Sequence, residues 1–406
     1  GMRMVKNFAR ASTGINGLDE ILDHLRMGDN VVWQVNSVED YCHFVQPFIK
    51  QAKAENRPIV YMRFGQHKEI LPHHPDIKVY DLDASQGFET FSAAVHNIAS
   101  AEGEGVFYVF DCLSDLLSAW ATDLMIGNFF KVTCPYLFEL DTIAYFAILR
   151  DRNSYDTIAR IRETTQLLLD VYQFDGKYFI HPLKVWNRYS PTMYLPHVGV
   201  EEKFLPITSS VEASRLFSAF QGFGPGNVGR KLDYWDRVFL SAQELIERNR
   251  EGDPPTAQEQ TEMLDQLCKM ILGRDERVLT LARKYFSLPD LLEIRNRLLG
   301  SGFIGGKSLG MLLARKILTA SSARDWDSLL EVHDSFYIGS DVYYTYLVEN
   351  ECWNLRLEQK KEDCYFSAAE KIESQNSKRG VPRQHTGAVQ PDAGVLWTIS
   401  NHSPFQ

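Results

Sequence analysis

Strand-like and helix-like segments alternate over the first 150 residues, and this alternation constrains the fold more than any single motif. Asn30–Val35 is an apolar run that reads as a strand, and Tyr41–Ala54 carries helical spacing. Pro58–Phe64 and Ile77–Leu82 read as strands and Phe88–Ala101 as a helix. Val106–Asp111 is a short apolar strand closed by a carboxylate, and Ile143–Leu149, the most apolar short run, is a further buried strand. Strands separated by helical crossovers pair in parallel and need cover on both faces. The expected fold is therefore α/β, a mostly parallel sheet flanked by helices. Ligands of such sheets bind beyond the carboxyl ends of the strands, so the turns after Val35, Phe64 and Asp111 are where chemistry is sought.

Two stretches in this region carry a resemblance. The opening Thr13-Gly-Ile-Asn-Gly-Leu-Asp19 and the run Val106-Phe-Tyr-Val-Phe-Asp-Cys-Leu-Ser-Asp115 are similar to RecA-like ATPases of the KaiC type over most of residues 10–200. The resemblance implies a RecA-like fold for residues 1–210, with Asp111 as a Walker B carboxylate at the magnesium position. It also implies self-association through this domain. The sequence departs from the family where phosphate should bind. After the first strand it reads Asn36-Ser-Val-Glu-Asp-Tyr41, with no glycine to approach a phosphate, no lysine to neutralise it, and two carboxylates, Glu39 and Asp40. Like charges at close range repel, so this degenerate P-loop should reject ATP. Where the family carries a catalytic glutamate, the chain has Phe64-Gly65-Gln66-His67. The expectation is a shell that keeps its packing without ATP hydrolysis, leaving Asp111 vestigial.

A second stretch runs Gly300-Ser-Gly-Phe-Ile-Gly-Gly-Lys-Ser-Leu-Gly310, with Leu309, Leu312, Leu313 and Ile317 on one face of a following helix. Glycines and a lysine at a helix start suit a phosphate contact. The spacing is one residue short of a Walker A loop, and a plain turn into a helix fits as well. From about Leu264 to Glu373 the chain resembles the start of the ATP-binding domain of phosphoenolpyruvate synthase and pyruvate phosphate dikinase. The matching words begin at Leu279, Ile304 and Asp334. That resemblance implies a partial ATP-grasp-type fragment over 301–374, with Gly305, Gly306 and Lys307 at the nucleotide phosphates. The family's later Arg-Ser-Ser segment, phosphohistidine domain and pyruvate-binding barrel do not appear. An ATP-grasp remainder in another chain is the partner this would imply.

Residues 211–300 read as a linker and helical connector. The linker holds Gly222-Phe-Gly-Pro-Gly-Asn-Val-Gly229, a formal G-x-G-x-x-G match that follows no strand and so fails its context test. Apolar stripes from Tyr234 to Ile246 and from Met263 to Ile271 read as helices, and Ser287 with Pro289 starts a third. Residues 375–406 form an atypical tail with only Gly394–Ile399 strand-like, as a frameshift or a drifted truncation would leave. His67, His73 and His74 cluster in sequence but read as a solvated loop, not a metal site.

Net charge settles what the chain should not bind. It is −10, which argues against a nucleic-acid surface. No run of about 18 apolar residues predicts a membrane span. Six scattered cysteines without C-x-x-C suit free thiols in a cytoplasmic protein. Two functions remain open. One is a phosphoenolpyruvate synthase/pyruvate phosphate dikinase-like ATP-dependent phosphotransferase (a kinase-type transferase), truncated and without independent catalysis, with ATP and magnesium weakly held at best. The other is a non-catalytic RecA-like assembly or sensing module. No catalytic residue and no metal ligand is assigned in either.

Overall fold

The structure, a computed structural model, describes residues 9–120, 122–221, 233–331, 334–359 and 398–400. It divides into two compact units, Gly1–Asp233 and Tyr234–Gln406. The first opens with a strand β1 (Arg10–Ala11), helix α1 (Asn16–Leu22) and β2 (Leu25–Arg26), the two strands forming a small antiparallel pair. There follow β3 (Asn30–Val35), α2 (Val38–Ala54), β4 (Ile59–Arg63), β5 (Ile77–Asp81), α3 (Phe88–Glu102) and β6 (Phe107–Cys112). Helices α4 (Leu117–Trp120) and α5 (Leu124–Glu139) lead to β7 (Ile143–Leu149), α6 (Tyr155–Thr164) and β8 (Leu167–Phe174). The unit ends with β9 (Lys177–Val185), β10 (His197–Val200), β11 (Lys203–Pro206) and α7 (Ser210–Gln221).

Nine of these strands form one mixed sheet in the order β11-β10-β9-β8-β3-β7-β6-β4-β5. The six from β8 to β5 in that order are mutually parallel, and β9, β10 and β11 extend the sheet by antiparallel hairpins. The α/β class expected from the alternation is present, with the strands read from sequence found within a residue or two of their places.

Both sheet faces are buried, which is why its strands read as continuous apolar runs. On one face Trp33, Tyr61, Val109 and Tyr145 pack beneath α1 and α2, with Trp33 stacked on Phe44 at 4.6 Å and Tyr145 on Phe48 at 3.9 Å. On the other, Phe110 and Phe146 meet Phe129 and Phe130 of α5, and Phe91 of α3 joins them. Helix α2 thus leaves β3 on one face, while α6 leaves β7 to pack beside α5 on the other. Neighbouring strands whose crossovers diverge open a crevice at their carboxyl ends. Here that crevice lies between β3 and β7.

The second unit holds helices α8 (Tyr234–Arg250), α9 (Ala257–Leu272), α10 (Glu276–Tyr285) and α11 (Leu288–Asn296). The apolar stripes read from sequence are their buried faces: Trp235, Val238, Phe239 and Ala242 on α8, and Leu267, Met270 and Ile271 on α9. Capping boxes start α9 (Thr256 with Glu259) and α11 (Ser287 with Asp290). Then come β12 (Leu298–Leu299), α12 (Gly306–Ala320), α13 (Trp326–Leu329), β13 (Ser335–Ile338), α14 (Ser340–Glu349) and α15 (Trp353–Gln359), with β14 (Thr398–Ser400) paired antiparallel to β13. The glycine-rich linker after Phe220 and all of the tail except β14 lie outside the described residues. Among the described residues no helix is long and apolar enough to cross a membrane.

Candidate functional site

The crevice between β3 and β7 is filled from within. Arg150 follows β7 directly and lays its guanidinium over the ends of β3 and β8. Its Nε donates to Asn36 Oδ1 at 2.9 Å, and one Nη donates to Tyr172 Oη at 3.0 Å and to the Asp170 carboxylate. The other Nη donates to the carbonyls of Val171 at 2.7 Å and Gln34 at 3.4 Å. A guanidinium has five N–H groups, and here each has an acceptor. The plane also stacks over the Tyr172 ring, 3.9 Å from its centre.

The loop after β3 is equally committed. Ser37 caps α2 by accepting from the Asp40 amide at 3.3 Å. Of the two carboxylates expected to face a phosphate, only Glu39 is exposed; Asp40 is buried. Asp40 turns to Tyr178 at the start of β9, whose hydroxyl is pushed up by burial and then by the Asp40 charge and hydrogen bond. Tyr41 is fully buried and donates its hydroxyl to the Phe110 carbonyl at 3.0 Å, tying α2 to β6. The loop after β3 is a capped helix start.

Asp111 lies near the carboxyl end of β6, as its sequence position implies. A bulge between Val109 and Cys112 breaks the β6–β7 register there, and Asp111, two residues after Val109, keeps its side chain on the α2 face beside Tyr61. The carboxylate is fully buried and both its oxygens are taken. Oδ1 accepts from the Tyr61 hydroxyl. Oδ2 accepts from Arg63 Nη1 at 2.7 Å and from the amides of Phe64 and Gly65, each at 2.9 Å. Burial and then the bond to Asp111 push the Tyr61 hydroxyl far up, while burial of Arg63 is outweighed by Asp111, which holds the guanidinium above its ordinary value. A magnesium ion needs open oxygen ligands and several waters of its own. A dry carboxylate carrying four donors, one of them cationic, does not fit it.

The three histidines do not converge. His67 accepts the Cys112 amide at Nε2 (3.2 Å) and meets the Lys68 carbonyl through Nδ1 (2.8 Å). This pattern fixes the Nδ1–H tautomer, so the 3.8 Å approaches of Nε2 to Asp111 and Asp115 are not ion pairs. His73 is exposed, and His74 accepts the Asp76 amide. Asp115 accepts the Gln66 amide at 3.1 Å, and so closes the loop after β4 against the turn after β6. Burial pushes the Cys112 thiol up to about 12, far from a reactive thiolate.

In the second unit, Gly305 caps α12, Gly306 begins it, and Lys307 is its second residue. Gly306 and Lys307 are exposed, Gly305 is buried, and a Cβ built on Gly306 would meet nothing within 4 Å. The earlier glycines of this stretch answer to packing. Gly302 has φ +90°, and its Cβ would lie 2.3 Å from Ser340 Oγ, because the chain crosses the start of α14 there. Phe303 donates its amide to the same Ser340 oxygen at 2.9 Å. Leu309 and Leu313 are buried, whereas Ile317 reaches the surface.

The opening Thr13–Asp19 motif is also a packing device. Asp19 is buried and accepts the Thr13 amide at 2.8 Å and the Thr13 hydroxyl at 2.6 Å. Gly14 has φ +80° with its α-carbon against α2, and Gly17 lies against the β10–β11 turn. Sequence reasoning missed Tyr61, Arg63, Arg150 and Asp170. A signal existed for Asp170: a carboxylate inside the apolar run Leu167–Val171 demands a buried partner. Comparison with protein-family models and with curated proteins finds no match to this chain.

Proposed function

We propose that the first unit is a RecA-like module that does not turn over nucleotide, serving assembly or sensing, and that the second resembles the start of an ATP-grasp-type domain. By resemblance the whole belongs with phosphoenolpyruvate synthase/pyruvate phosphate dikinase-like phosphotransferases, without independent catalysis. One observation supports the first part: Asp111, the residue that the resemblance puts at a magnesium position, has both oxygens engaged inside the fold. Arg150 supports it by filling the crevice where the phosphates would lie.

The phosphotransferase side rests on Lys307. It is exposed at the first turn of a fifteen-residue helix, and no hydrogen bond or ion pair engages it among the described residues. A helix start and one lysine give an anion about 0.3–1 kcal/mol at an exposed site. Phosphate contact there is therefore weak and salt-sensitive unless a partner closes over it. An ATP-grasp remainder in another chain would do so, and self-association through the first unit would bring copies together. Free thiols at Cys42, Cys112, Cys134, Cys268 and Cys352 fit a reducing cytoplasm.

The test is an assay of ATP consumption with and without pyruvate on the purified chain. No turnover is expected in either case. Turnover abolished by Lys307→Ala, but not by Lys284→Ala, would overturn the reading.

A further inference from the structure

We infer that His197 is an acid-sensitive latch: while its ring is neutral it keeps the β10–β11 hairpin closed over α1, and a proton on the ring opens that hairpin. The residue is fully buried, and among the described residues neither of its ring nitrogens makes a hydrogen bond. Buried polar groups are nearly always paired, so a ring left this way calls for a reason. His197 stands opposite Ile180 of β9 and so shares its face of the sheet, the α1–α2 side. Gly199 is on the same face, and Phe204 of β11 lies across it and packs on that apolar cluster. A neutral imidazole is tolerated there, whereas an imidazolium would be a charge without a partner. Burial above all holds the ring below its ordinary value of 6.5; the Leu195 carbonyl acts the other way, and the His181 ring adds to the lowering.

The charges of the surrounding elements are committed elsewhere or stand in water. On α1, Asp19 accepts from Ser12 and Thr13, and Glu20 is exposed. On α2, Asp40 bonds Tyr178 of β9, and His43 stacks on the same tyrosine ring at 4.1 Å. Lys203 of β11 is exposed. On the opposite face, Asp170 is taken by Arg150 and Tyr172, and His181 Nε2 meets the Tyr194 carbonyl at 3.1 Å. No buried carboxylate among these groups is left to receive a charged His197. The hairpin itself is weakly tied to the rest of the sheet. β11 is an edge strand, and β10 pairs with β9 over two residues, against four with β11. Its turn closes on α1, where a Cβ on Gly17 would lie 2.6 Å from the Glu202 carbonyl oxygen. Opening bares α1 there and leaves β9 with an unpaired outer edge. The latch uses neither Asp111 nor Arg150, so it stands apart from the closed crevice.

Because the closed hairpin disfavours the proton, the open form binds it more tightly. The latch is therefore fully set above about pH 6.5, and the opening equilibrium grows by about tenfold per pH unit below it. The test is amide hydrogen exchange on the full chain at pH 7.5 and 5.5, with rates corrected for the intrinsic effect of pH. The parent is compared with His197→Gln, His197→Leu and His181→Gln. In the parent, protection over residues 197–206 should fall about tenfold at the lower pH, while β3 and β7 keep theirs. Both His197 variants should lose this fall, and His181→Gln should retain it. Unchanged protection in the parent would overturn the inference, as would an equal loss across β3 and β7. So would a fall that persists in a folded His197 variant, or one that His181→Gln abolishes. Should neither His197 variant fold, the parent and His181→Gln decide by the same outcomes. None of these measurements involves ATP, so nucleotide binding by the parent would refute the closed-site reading separately.

Discussion

Asp111 and Gly14 show what single residues contribute. Both lie in stretches for which an ATPase likeness is proposed above, and both are held by contacts that have no need of ATP. A Cβ on Gly14 would lie 2.0 Å from the Pro47 carbonyl oxygen, and φ of +80° already disfavours a side chain. Gly14→Ala is therefore expected to cost about 2–4 kcal/mol, read as a lower urea midpoint with unchanged slope. An unchanged midpoint would mean that the Thr13–Asp19 loop is not packed against α2. Tyr41 makes a milder case. Tyr41→Phe removes one buried hydroxyl and leaves the Phe110 carbonyl short of a donor, a loss of about 1–2 kcal/mol by the same measurement. The sequence showed that phosphate-binding residues are missing after β3. It could not show that Asp40 turns inward to Tyr178, since that partner lies 138 positions away across the sheet.

At the scale of elements, β3, β7 and β8 are joined at their carboxyl ends through Arg150 and Asp170. Their side chains are only 14% and 7% exposed. Removing one partner of such a pair strands the other, so Arg150→Met should cost about 3–5 kcal/mol. Arg150→Met/Asp170→Leu should recover much of it, and a double-mutant cycle by urea denaturation reads the coupling. Additive losses would show the pair to be incidental. Strands were legible from sequence because both faces of the sheet are buried and their apolar runs are unbroken. Helix α5 was not, since Met125, Ile126, Phe129, Phe130, Cys134 and Leu137 are all buried and leave little polar face to set a period. Pro135 within it further disguises the helix. The Val109–Cys112 bulge beside Asp111 has no signature in the residues themselves.

The whole molecule combines two compact units and many buried groups that titrate only at high pH. Burial holds Cys112 up to about 12 and Cys268 up to about 11, and pushes Tyr41 and Tyr145 well above their ordinary values. Above the unfolded pKa near 9 for a thiol or 10 for a phenol, the unfolded chain gives up protons that the folded chain keeps. Stability should thus be fully present below about pH 9 and fall as pH rises from there towards about 12, with each such group adding up to ~1.4 kcal/mol per pH unit. Urea midpoints across that range test this, and Cys112→Ala should flatten the slope. A midpoint that does not change with pH would contradict the burial of these groups.

The central claim is that the crevice of the nine-stranded sheet is filled by the chain itself. Its most direct test is calorimetric titration of Mg-ATP into the Lys307→Ala chain, which leaves the first unit as the only candidate site under discussion. With Arg150 and Asp111 satisfied internally, no saturable heat should appear up to millimolar ATP. Saturable binding in the micromolar range, lost on Asp111→Asn, would show that the crevice opens to nucleotide and that the account is wrong.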